Sequence, residues 1–274
     1  MTRPISVDGE TKVFPIIGHP IGQVKSPAAL SRIMAERGFN GIVVPIDIAP
    51  QDLEGWLSKA KAMRNVGGIV VTVPHKVPCL TVCSATSDRA KAAGAVNIMI
   101  RQDDEWIGDA TDGQGYLDGI ADEGFDVEDK TALLVGAGGA GSAIAYEILA
   151  RGASGLSLHD VDTNRRDALI ARLNEAFPGK ARVGGTDPRG FQLIANATPL
   201  GMREGDPLPV QTEHLAADQF VADVVTRPAV PPLIAAARQK GCATMPGSGM
   251  FEAQAVLLAE LLMGSRGITI SRRR

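Results

Sequence analysis

The stretch of sequence that decides the fold is Leu133-Leu134-Val135-Gly136-Ala137-Gly138-Gly139-Ala140-Gly141. It starts as an apolar strand and continues as G-x-G-x-x-G. In this pattern Gly136 permits a tight turn, Gly138 lets the backbone approach a pyrophosphate, and Gly141 lets the next helix pack on the strand. The glycines, with Gly139 and Ala140 between them, open a helix whose free N–H groups and positive dipole end favour phosphate. The stretch therefore predicts a dinucleotide-binding βαβ unit.

Asp160 bears on which dinucleotide binds. It ends the next apolar strand, about 20 residues beyond the motif, where such units place the acid that binds the adenosine ribose. A carboxylate there accepts from a 2′-hydroxyl and repels a 2′-phosphate, which favours NAD over NADP. A surface turn residue or a helix N-cap is the alternative for Asp160. Arg165 and Arg166 could reach a phosphate, so NADP stays possible, but their spacing fits the exposed face of the next helix.

Strands and helices alternate on both sides of this motif. Apolar, β-branched runs predict strands over 11–17, 41–46, 67–73, 131–135, 156–159, 191–195 and 220–225, and a hairpin over 96–108. Helical periodicity predicts helices over 27–37, 51–64, 113–123, 142–151, 163–176, 230–240 and 251–263. Alternation at these lengths indicates an α/β protein with parallel βαβ units. The pattern of predicted strands and helices changes near Thr111.

Size and charge narrow the function classes. A chain of 274 residues suffices for two packed domains, and a net charge of −3 leaves no electrostatic footprint for nucleic acid or an anionic membrane. The basic run Arg272–Arg274 is expected to be a solvated tail. We find no leader and no apolar run of about 18 residues, so we expect a cytoplasmic protein that binds small molecules as a monomer or homodimer.

The cysteines and histidines do not predict a metal. The cysteines are odd in number, and without a secretory signal we expect reduced thiols at Cys79, Cys83 and Cys242. Cys79 and Cys83 lack the second cluster that would complete a metal site, and the four histidines show no ligand spacing.

Two residues are candidates for acid–base chemistry. An alcohol dehydrogenase needs a group that takes the hydroxyl proton as hydride leaves, and lysine does so where burial or a neighbouring charge favours its neutral form. Lys76 follows a run rich in β-forming residues, and Asp112 stands where the sequence pattern changes, near Thr111. From the residues alone, an ordinary solvated role for Lys76 stays open.

Short motifs occur in the same order as in the shikimate/quinate dehydrogenases, which the chain resembles over nearly its whole length. They are Pro20-Ile21, Lys25-Ser26-Pro27, Val71-Thr72-Val73-Pro74-His75-Lys76, Gly94-Ala95-Val96-Asn97, Thr111-Asp112-Gly113, the glycine turn, Asn196-Ala197-Thr198-Pro199-Leu200-Gly201-Met202, Asp223-Val224-Val225 and Gly247-Ser248-Gly249-Met250-Phe251-Glu252-Ala253-Gln254. The resemblance implies a substrate domain over 1–111, completed by 249–274, and a Rossmann-type, doubly wound NAD(P)-binding domain over 112–248.

The resemblance also implies roles for individual residues. Lys76 and Asp112 are similar to the catalytic pair, with Lys76 transferring the proton and Asp112 fixing the hydroxyl. The positions that match substrate-binding residues are Ser26, Thr72, Asn97 and Gln254. The positions that match the cofactor site beyond the glycine turn are Asn196, Thr198, Met202, Val225 and Gly247.

Bland interpretations stay open for several of these residues. Asn97 could cap a turn, Thr72 could be a buried β-former, and Met202 could simply pack. We interpret His75 as packing or partly exposed, and His19 as a residue that could touch substrate.

The chain departs from the family pattern at the substrate end. Val24, Val70 and Thr226 stand where the family typically has a serine, an asparagine and a tyrosine, and Ala110 also replaces an asparagine. These exchanges remove hydrogen-bonding groups, and an unmet polar group costs about 1–3 kcal/mol. We expect the substrate to be shikimate, quinate or a related hydroxylated compound. A related compound could lack the carboxylate or carry a bulkier, less polar group near Val24, Val70 and Thr226. An ordinary NADP-dependent biosynthetic shikimate dehydrogenase and a non-catalytic NAD(H)-binding module are the alternatives.

Overall fold

The chain folds into two units, which a computed structural model describes over residues 5–270. One unit runs up to Thr111 and resumes at Ala255, and the second runs from Asp112 to Gln254. Each contains one six-stranded sheet with helices, so the predicted α/β class is confirmed. The change between the units near the C-terminal end falls at 254/255, a few residues beyond the predicted 248/249.

The first unit begins with strands and helices in alternation. Its strands are β1 Lys12–Gly18, β2 Gly41–Asp47, β3 Gly68–Val71, β4 Ala85–Thr86, β5 Ile98–Gln102 and β6 Glu105–Asp109. Its helices are α1 Ser26–Glu36, α2 Leu53–Ala62, α3 Lys76–Val82 and α4 Asp88–Ala93, with a 3-10 turn at Pro50–Asp52. Local chemistry sets the helix ends: Pro27 opens α1, the Ser87 side chain caps α4, and Gly94 closes α4 with a φ of 69°.

The sheet of this unit is mixed, with strand order β2-β1-β3-β5-β6-β4. β1 pairs in parallel with β2 and β3, whereas β5 runs antiparallel to both β3 and β6, so the predicted hairpin is present. An apolar cluster of the sheet, α1 and the end of the last helix fills the core, with Phe14, Leu30, Met34 and Leu261 nearly or fully buried. Each such side chain contributes about 1.5–3 kcal/mol by leaving water.

The second unit is the more regular of the two. Its strands are β7 Thr131–Val135, β8 Gly155–His159, β9 Ala181–Val183, β10 Leu193–Asn196, β11 Phe220–Asp223 and β12 Ala243–Met245. Its helices are α5 Asp112–Asp122, α6 Gly139–Ala150, α7 Thr163–Ala176, α8 Pro232–Gln239 and the first part of α9 Gly247–Met263, with a 3-10 turn at Thr212–His214.

All six strands of this unit are parallel, in the order β12-β11-β10-β7-β8-β9. The apolar run of β7 is buried on both faces: Leu134 packs in a cluster with α5 and α6, and Leu133 packs in a second cluster with α8. This is the doubly wound arrangement, and it places ligands at the carboxyl edge of the sheet, where the strand order reverses between β7 and β10.

The sequence missed several short elements. No element was predicted between 74 and 95, where the structure has α3, β4 and α4, and β9 and β12 are only three residues long. Helix α9 begins at Gly247, before the predicted 251, although two glycines normally disfavour a helix there. Gly247 is required by packing, because a Cβ on it would lie 2.5 Å from the carbonyl oxygens of Val224 and Val225.

Three further sequence predictions concern ends, membranes and metals. The run Arg272–Arg274 lies outside the described residues. Over residues 5–270, no helix is both long and apolar enough to span a bilayer. The same residues contain no group of three His, Cys, Asp or Glu side chains that could hold a metal ion. Cys79, Cys83 and Cys242 are free thiols, and burial raises the pKa of Cys79 and of Cys83 to about 12.

Candidate active site

The glycine turn after β7 shows a separate reason for each glycine. Gly136 has a φ of 105°, a conformation that side chains disfavour. A Cβ on Gly141 would collide with the carbonyl oxygen of Gly136, so this glycine lets α6 approach the turn. A Cβ on Gly138 would meet no protein atom within 4 Å. The protein itself therefore does not require glycine at 138, and the open space there fits a bound pyrophosphate.

Asp160 follows β8 and holds the glycine turn. Its Oδ2 accepts from the Ala137 N–H at 2.7 Å, and its Oδ1 accepts from the Asp162 N–H at 2.8 Å and from Arg165 Nη2 at 2.7 Å. Burial alone would raise the pKa of Asp160, but the hydrogen bonds from Arg165 and the two N–H groups outweigh it and hold the pKa below its ordinary value. The N-cap of α7 is Asp162, not Asp160.

Arg165 lies on the exposed face of α7, as its spacing predicts, with its side chain 48% exposed. Its guanidinium pairs with the buried Asp160 carboxylate and also lies 3.9 Å from Asp162. Arg166 departs from that expectation, because its side chain is only 15% exposed and pairs with Asp167. The cation nearest to the ribose position is thus already engaged by two carboxylates.

A cavity of about 440 Å³ lies in front of the turn. Of the predicted cofactor residues it is lined by Gly136, Gly138, Asp160 and Thr198, whereas Gly139, Ala140, Gly141, Asn196, Met202, Val225 and Gly247 are not among its lining residues. The lining also includes residues that the sequence analysis did not select, namely His159, Val161, Thr186, Leu208 and Pro209. Thr186 lies just after β9, at the carboxyl edge of the sheet, and the sequence offered no signal for it because this three-residue strand was not predicted.

The loop after β10 is held by a chain of side-chain hydrogen bonds. Asn196 Oδ1 accepts from the Thr198 N–H at 3.0 Å and from Thr198 Oγ1 at 2.7 Å, and Thr198 Oγ1 accepts from the Leu200 N–H at 3.2 Å. Asn196 Nδ2 donates to Asp223 Oδ1 at 3.0 Å, and this oxygen also accepts from the Val225 N–H at 2.9 Å. Asp223 therefore ties the ends of β10 and β11 together.

Asp223 is fully buried, and its pKa is shifted. Burial raises the pKa of Asp223 to about 6, although the hydrogen bonds from Val225 and Asn196 favour its ionised form. Burial and then the nearby Asp223 carboxylate raise the pKa of the Tyr116 hydroxyl well above its ordinary value. The sequence analysis used Asp223 only as part of a motif and did not identify this role.

Asp112 and Gln254 meet within the second unit. Gln254 Nε2 donates to Asp112 Oδ1 at 2.7 Å, and Asp112 is 5% exposed. The carboxylate lies in the first turn of α5, where the partial positive charge of a helix N-terminus attracts it. The approach of α9 to α5 needs Gly115, because a Cβ there would lie 2.6 Å from Gln254 Cβ.

Lys76 and Thr72 lie at the carboxyl edge of the first unit's sheet. Thr72 follows β3 and donates its N–H to the Ile17 carbonyl at 2.9 Å, and its side chain is half-buried rather than fully buried. Lys76 is the first residue of α3, is also half-buried, and accepts at its carbonyl from the Val96 N–H at 2.9 Å.

Asn97 is buried and clamps Thr111. Its Oδ1 accepts from the Thr111 N–H at 2.8 Å, and its Nδ2 donates to Thr111 Oγ1 at 2.9 Å. The preceding Asp109 is held by Arg89 and Ser87, with Arg89 Nε 2.7 Å from its Oδ1. The chain is therefore fixed from 109 to 111, immediately before Asp112.

The substituted positions divide into two groups. Val70 is 4% exposed in the apolar cluster of the first unit, and Val24 packs against the same cluster. Thr226 is half-buried and is not among the residues of that cluster.

Two predicted site residues that are not substituted are also accessible. Ser26 begins α1 and is half-buried. Met202 is 53% exposed, so tight packing is ruled out for it.

Two histidines flank the same sheet edge of the first unit. His75 is 1% exposed, and its Nε2 donates to the Ile48 carbonyl at 2.8 Å, so it has a structural role. His19 follows β1, and its Nδ1 lies 2.7 Å from Oδ1 of Asp47, the last residue of β2. Asp47 did not feature in the sequence analysis, although a polar residue at a strand end was the available signal.

Known proteins are similar to this chain in sequence and in fold. Residues 16–99 match the family model of the shikimate dehydrogenase substrate binding domain. A shikimate dehydrogenase (NADP(+)) from Rubrobacter xylanophilus is 36% identical over 91% of this chain and 90% of its own. The chain belongs to the shikimate/quinate dehydrogenase family. Members of this family are NAD(P)-dependent oxidoreductases.

Two solved structures that are similar to this chain carry names that refer to different substrates. Quinate dehydrogenase from Corynebacterium glutamicum, in complex with NAD, is 28% identical, covers 93% of this chain and 94% of its own, and has a TM-score of 0.85. The ligand-free 5-ketofructose reductase of Gluconobacter sp. strain CHM43 is 26% identical, covers 94% of this chain and 95% of its own, and has a TM-score of 0.85.

Proposed function

We propose that this family member transfers a hydride between NAD and the ring hydroxyl of shikimate, quinate or a related hydroxylated compound. The observation that carries the proposal is the buried Asp112, which Gln254 orients at 2.7 Å in the same unit as the glycine turn. A carboxylate that is buried and held by an amide is organised to bind a hydroxyl.

The residues of the second unit fit the cofactor. Gly136, Gly138 and the N-terminus of α6 would receive the pyrophosphate, and Asp160 would accept from the ribose hydroxyls. Val161, Leu208 and Pro209 offer apolar contact for the adenine. Thr198 and Val225, both held through the Asn196–Asp223 network, would flank the nicotinamide.

When bound, the nicotinamide ring supplies the hydride acceptor for oxidation and the hydride donor for reduction. In oxidation, Lys76 Nζ takes the hydroxyl proton while the carbon–oxygen double bond forms, and in reduction Lys76 returns that proton. Asp112 accepts a hydrogen bond from a substrate hydroxyl, and Thr72 and Gln254 also bind substrate hydroxyls. Asn97 is a positioning residue, because its clamp on Thr111 fixes the approach to Asp112.

The activity is tested by crossing NAD⁺ and NADP⁺ with shikimate, quinate and related hydroxy compounds in an absorbance assay of the reduced cofactor. We expect turnover with NAD⁺ that is lost in Lys76→Ala. Saturable NADH binding without turnover on any compound would instead support a non-catalytic NAD(H)-binding module.

The preference for NAD rests on the engagement of Arg165 by Asp160. A 2′-phosphate would meet the Asp160 carboxylate, while Arg165 would have to leave its two carboxylate partners. We expect Asp160→Ser to shift the NADP⁺/NAD⁺ ratio of kcat/KM towards NADP⁺ at least about tenfold, or about 1.4 kcal/mol. Asp122→Ser, at the exposed end of α5 in the same unit, makes the same charge change and serves as the matched control. A wild-type preference for NADP⁺ would contradict the proposal and favour an ordinary biosynthetic shikimate dehydrogenase.

A second candidate substrate class is an uncharged ketose. The apolar Val24 and the buried Val70 offer no hydrogen bond to a carboxylate, and the reductase from Gluconobacter has a name that refers to such a ketose.

A further inference from the structure

The carboxyl edge of the first unit's sheet carries a hydrogen-bonded histidine–aspartate pair that the mechanism above does not use. Gly18 at the end of β1 pairs in register with Asp47 at the end of β2. His19 follows, with its Nδ1 2.7 Å from Asp47 Oδ1, and the two side chains are 48% and 50% exposed. Backbone hydrogen bonds fix His19 and the residue that follows Asp47, from the His19 N–H to the Val73 carbonyl at 3.0 Å and from the Ile48 N–H to the Gly18 carbonyl at 3.0 Å.

This pair stands beside Thr72. Gly18 separates them and is packed so closely that a Cβ on it would lie 2.6 Å from Thr72 Cγ2. β1 is the neighbour of both β2 and β3 in the sheet. Because adjacent strands are about 4.8 Å apart, Asp47 and Thr72 are separated by about 10 Å, close to the span of one six-membered ring with its hydroxyls. A ring whose hydroxyl binds Thr72 can therefore reach the pair.

The chemistry of the pair favours hydroxyls over a carboxylate. The Asp47 carboxylate accepts from hydroxyl groups and repels a second carboxylate, and a neutral imidazole held through Nδ1–H has an acceptor at Nε2. The cation that follows β3, Lys76, is assigned to the reacting hydroxyl. Val24, which packs against the apolar cluster, adds no partner for an anion.

We propose that His19 and Asp47 form a hydroxyl-binding subsite, and that the substrate is an uncharged polyhydroxylated ring or ketose rather than a carboxylated one. The proposal rests on the proposed function, which brings the substrate to Thr72 and Lys76. Asp47 thereby selects by charge: it binds a neutral substrate through donated hydroxyls and disfavours an anionic one.

The test compares kcat/KM for uncharged and anionic compounds with the full-length protein. The uncharged probes are 5-ketofructose with NADH and an inositol with NAD⁺, and the anionic probes are shikimate and quinate with NAD⁺. We expect the wild type to favour an uncharged probe. We expect Asp47→Asn to lower that ratio at least about tenfold, chiefly by raising turnover of the anions. His19→Asn should lower turnover of the uncharged probe without helping the anions. Asp52→Asn, in the Pro50–Asp52 turn of the same unit, makes the same charge change and should leave the ratio unchanged.

Ionic strength separates selection by charge from a change in packing. Salt screens repulsion between exposed charges, so anion turnover by the wild type should rise with salt, and anion turnover by Asp47→Asn should not. A wild type that prefers shikimate or quinate, or an Asp47→Asn ratio equal to that of the wild type, overturns the inference while leaving the proposed function intact.

If the wild type turns over none of the four probes, or if its activity survives Lys76→Ala, the proposed function is overturned instead. Calorimetric titration with 5-ketofructose and with inositol in the presence of NADH then decides the inference. Binding that is weakened by Asp47→Asn but not by Asp52→Asn supports the subsite, and absence of binding removes it.

Discussion

The carboxyl edges of the two sheets differ in whether backbone groups or side chains form them. In the second unit the edge consists mainly of backbone: a glycine turn, a helix N-terminus and loops that Asp160, Asn196 and Asp223 hold by hydrogen bonds to N–H groups. In the first unit the edge consists of side chains on strand ends, chiefly Thr72, Lys76 and the His19–Asp47 pair.

This difference explains why most of the departures from the family pattern fall in the first unit. A backbone site depends on glycines whose replacement would bring a Cβ against neighbouring backbone, as at Gly141. A side-chain site can change one residue at a time, because strand ends keep their register whichever side chains they carry. Of the departures, those at Val24, Val70 and Ala110 fall in the first unit, and the one at Thr226 falls in the second.

The largest effect, on kcat, should come from Lys76, the proposed proton-transfer residue at the carboxyl edge of the first unit's sheet. We expect Lys76→Ala to lower kcat by about 10³-fold, since a positioned acid–base group contributes about 10²–10⁴-fold. Steady-state kinetics measures the loss. The dissociation constant of NADH should stay unchanged, because the glycine turn lies in the other unit.

The exposed Lys59→Ala on α2 is the matched control and should retain full activity. Equal activity of Lys76→Ala and wild type would show that the side-chain edge does not carry the chemistry.

A smaller effect, on the free energy of unfolding, should come from Asp223, the buried carboxylate at the end of β11 in the second unit. A folded-state pKa of about 6 at Asp223 exceeds the ordinary 3.8, so folding is favoured by the protonated form. That stabilisation is complete below pH about 4 and is lost as pH rises through about 6. We therefore expect the stability of Asp223→Asn relative to wild type to increase by about 2 kcal/mol between pH 4.5 and pH 7.

Urea unfolding at pH 4.5, 5.5 and 7 measures this change. Asp122→Asn, at the exposed end of α5, controls for the loss of one carboxylate. A stability difference between Asp223→Asn and wild type that does not vary with pH would sink this account of Asp223.

The smallest effect should separate the two reasons for glycine in the turn. We expect Gly138→Ala to weaken NADH binding about tenfold, or about 1.4 kcal/mol, because the new methyl group enters the space for the pyrophosphate. Its thermal unfolding should match that of wild type, since no protein atom lies within 4 Å of the added Cβ.

Gly141→Ala should behave in the opposite way and destabilise the fold, because its Cβ meets the Gly136 carbonyl. Fluorescence titration of NADH and thermal melts distinguish the two variants. Unchanged binding by Gly138→Ala would mean that the pyrophosphate does not approach this glycine.

The sequence by itself determined the α/β class, the glycine turn and most long elements. The reason is physical: an apolar run buried on both faces, a 3.6-residue period and a glycine pattern each depend on near neighbours in the chain. β7 and α7 have the same bounds in the structure as in the prediction.

Only the tertiary structure decided which polar side chains meet. Asp160 and Ala137, Asn196 and Asp223, and Asp112 and Gln254 are far apart in sequence, and the parallel sheet or the packing of α9 on α5 brings each pair together. The short elements between 74 and 95 also depend on such packing, because they are too brief to show a period of their own. The pairing of His19 with Asp47 has the same origin, since strand register sets it and no local pattern records it.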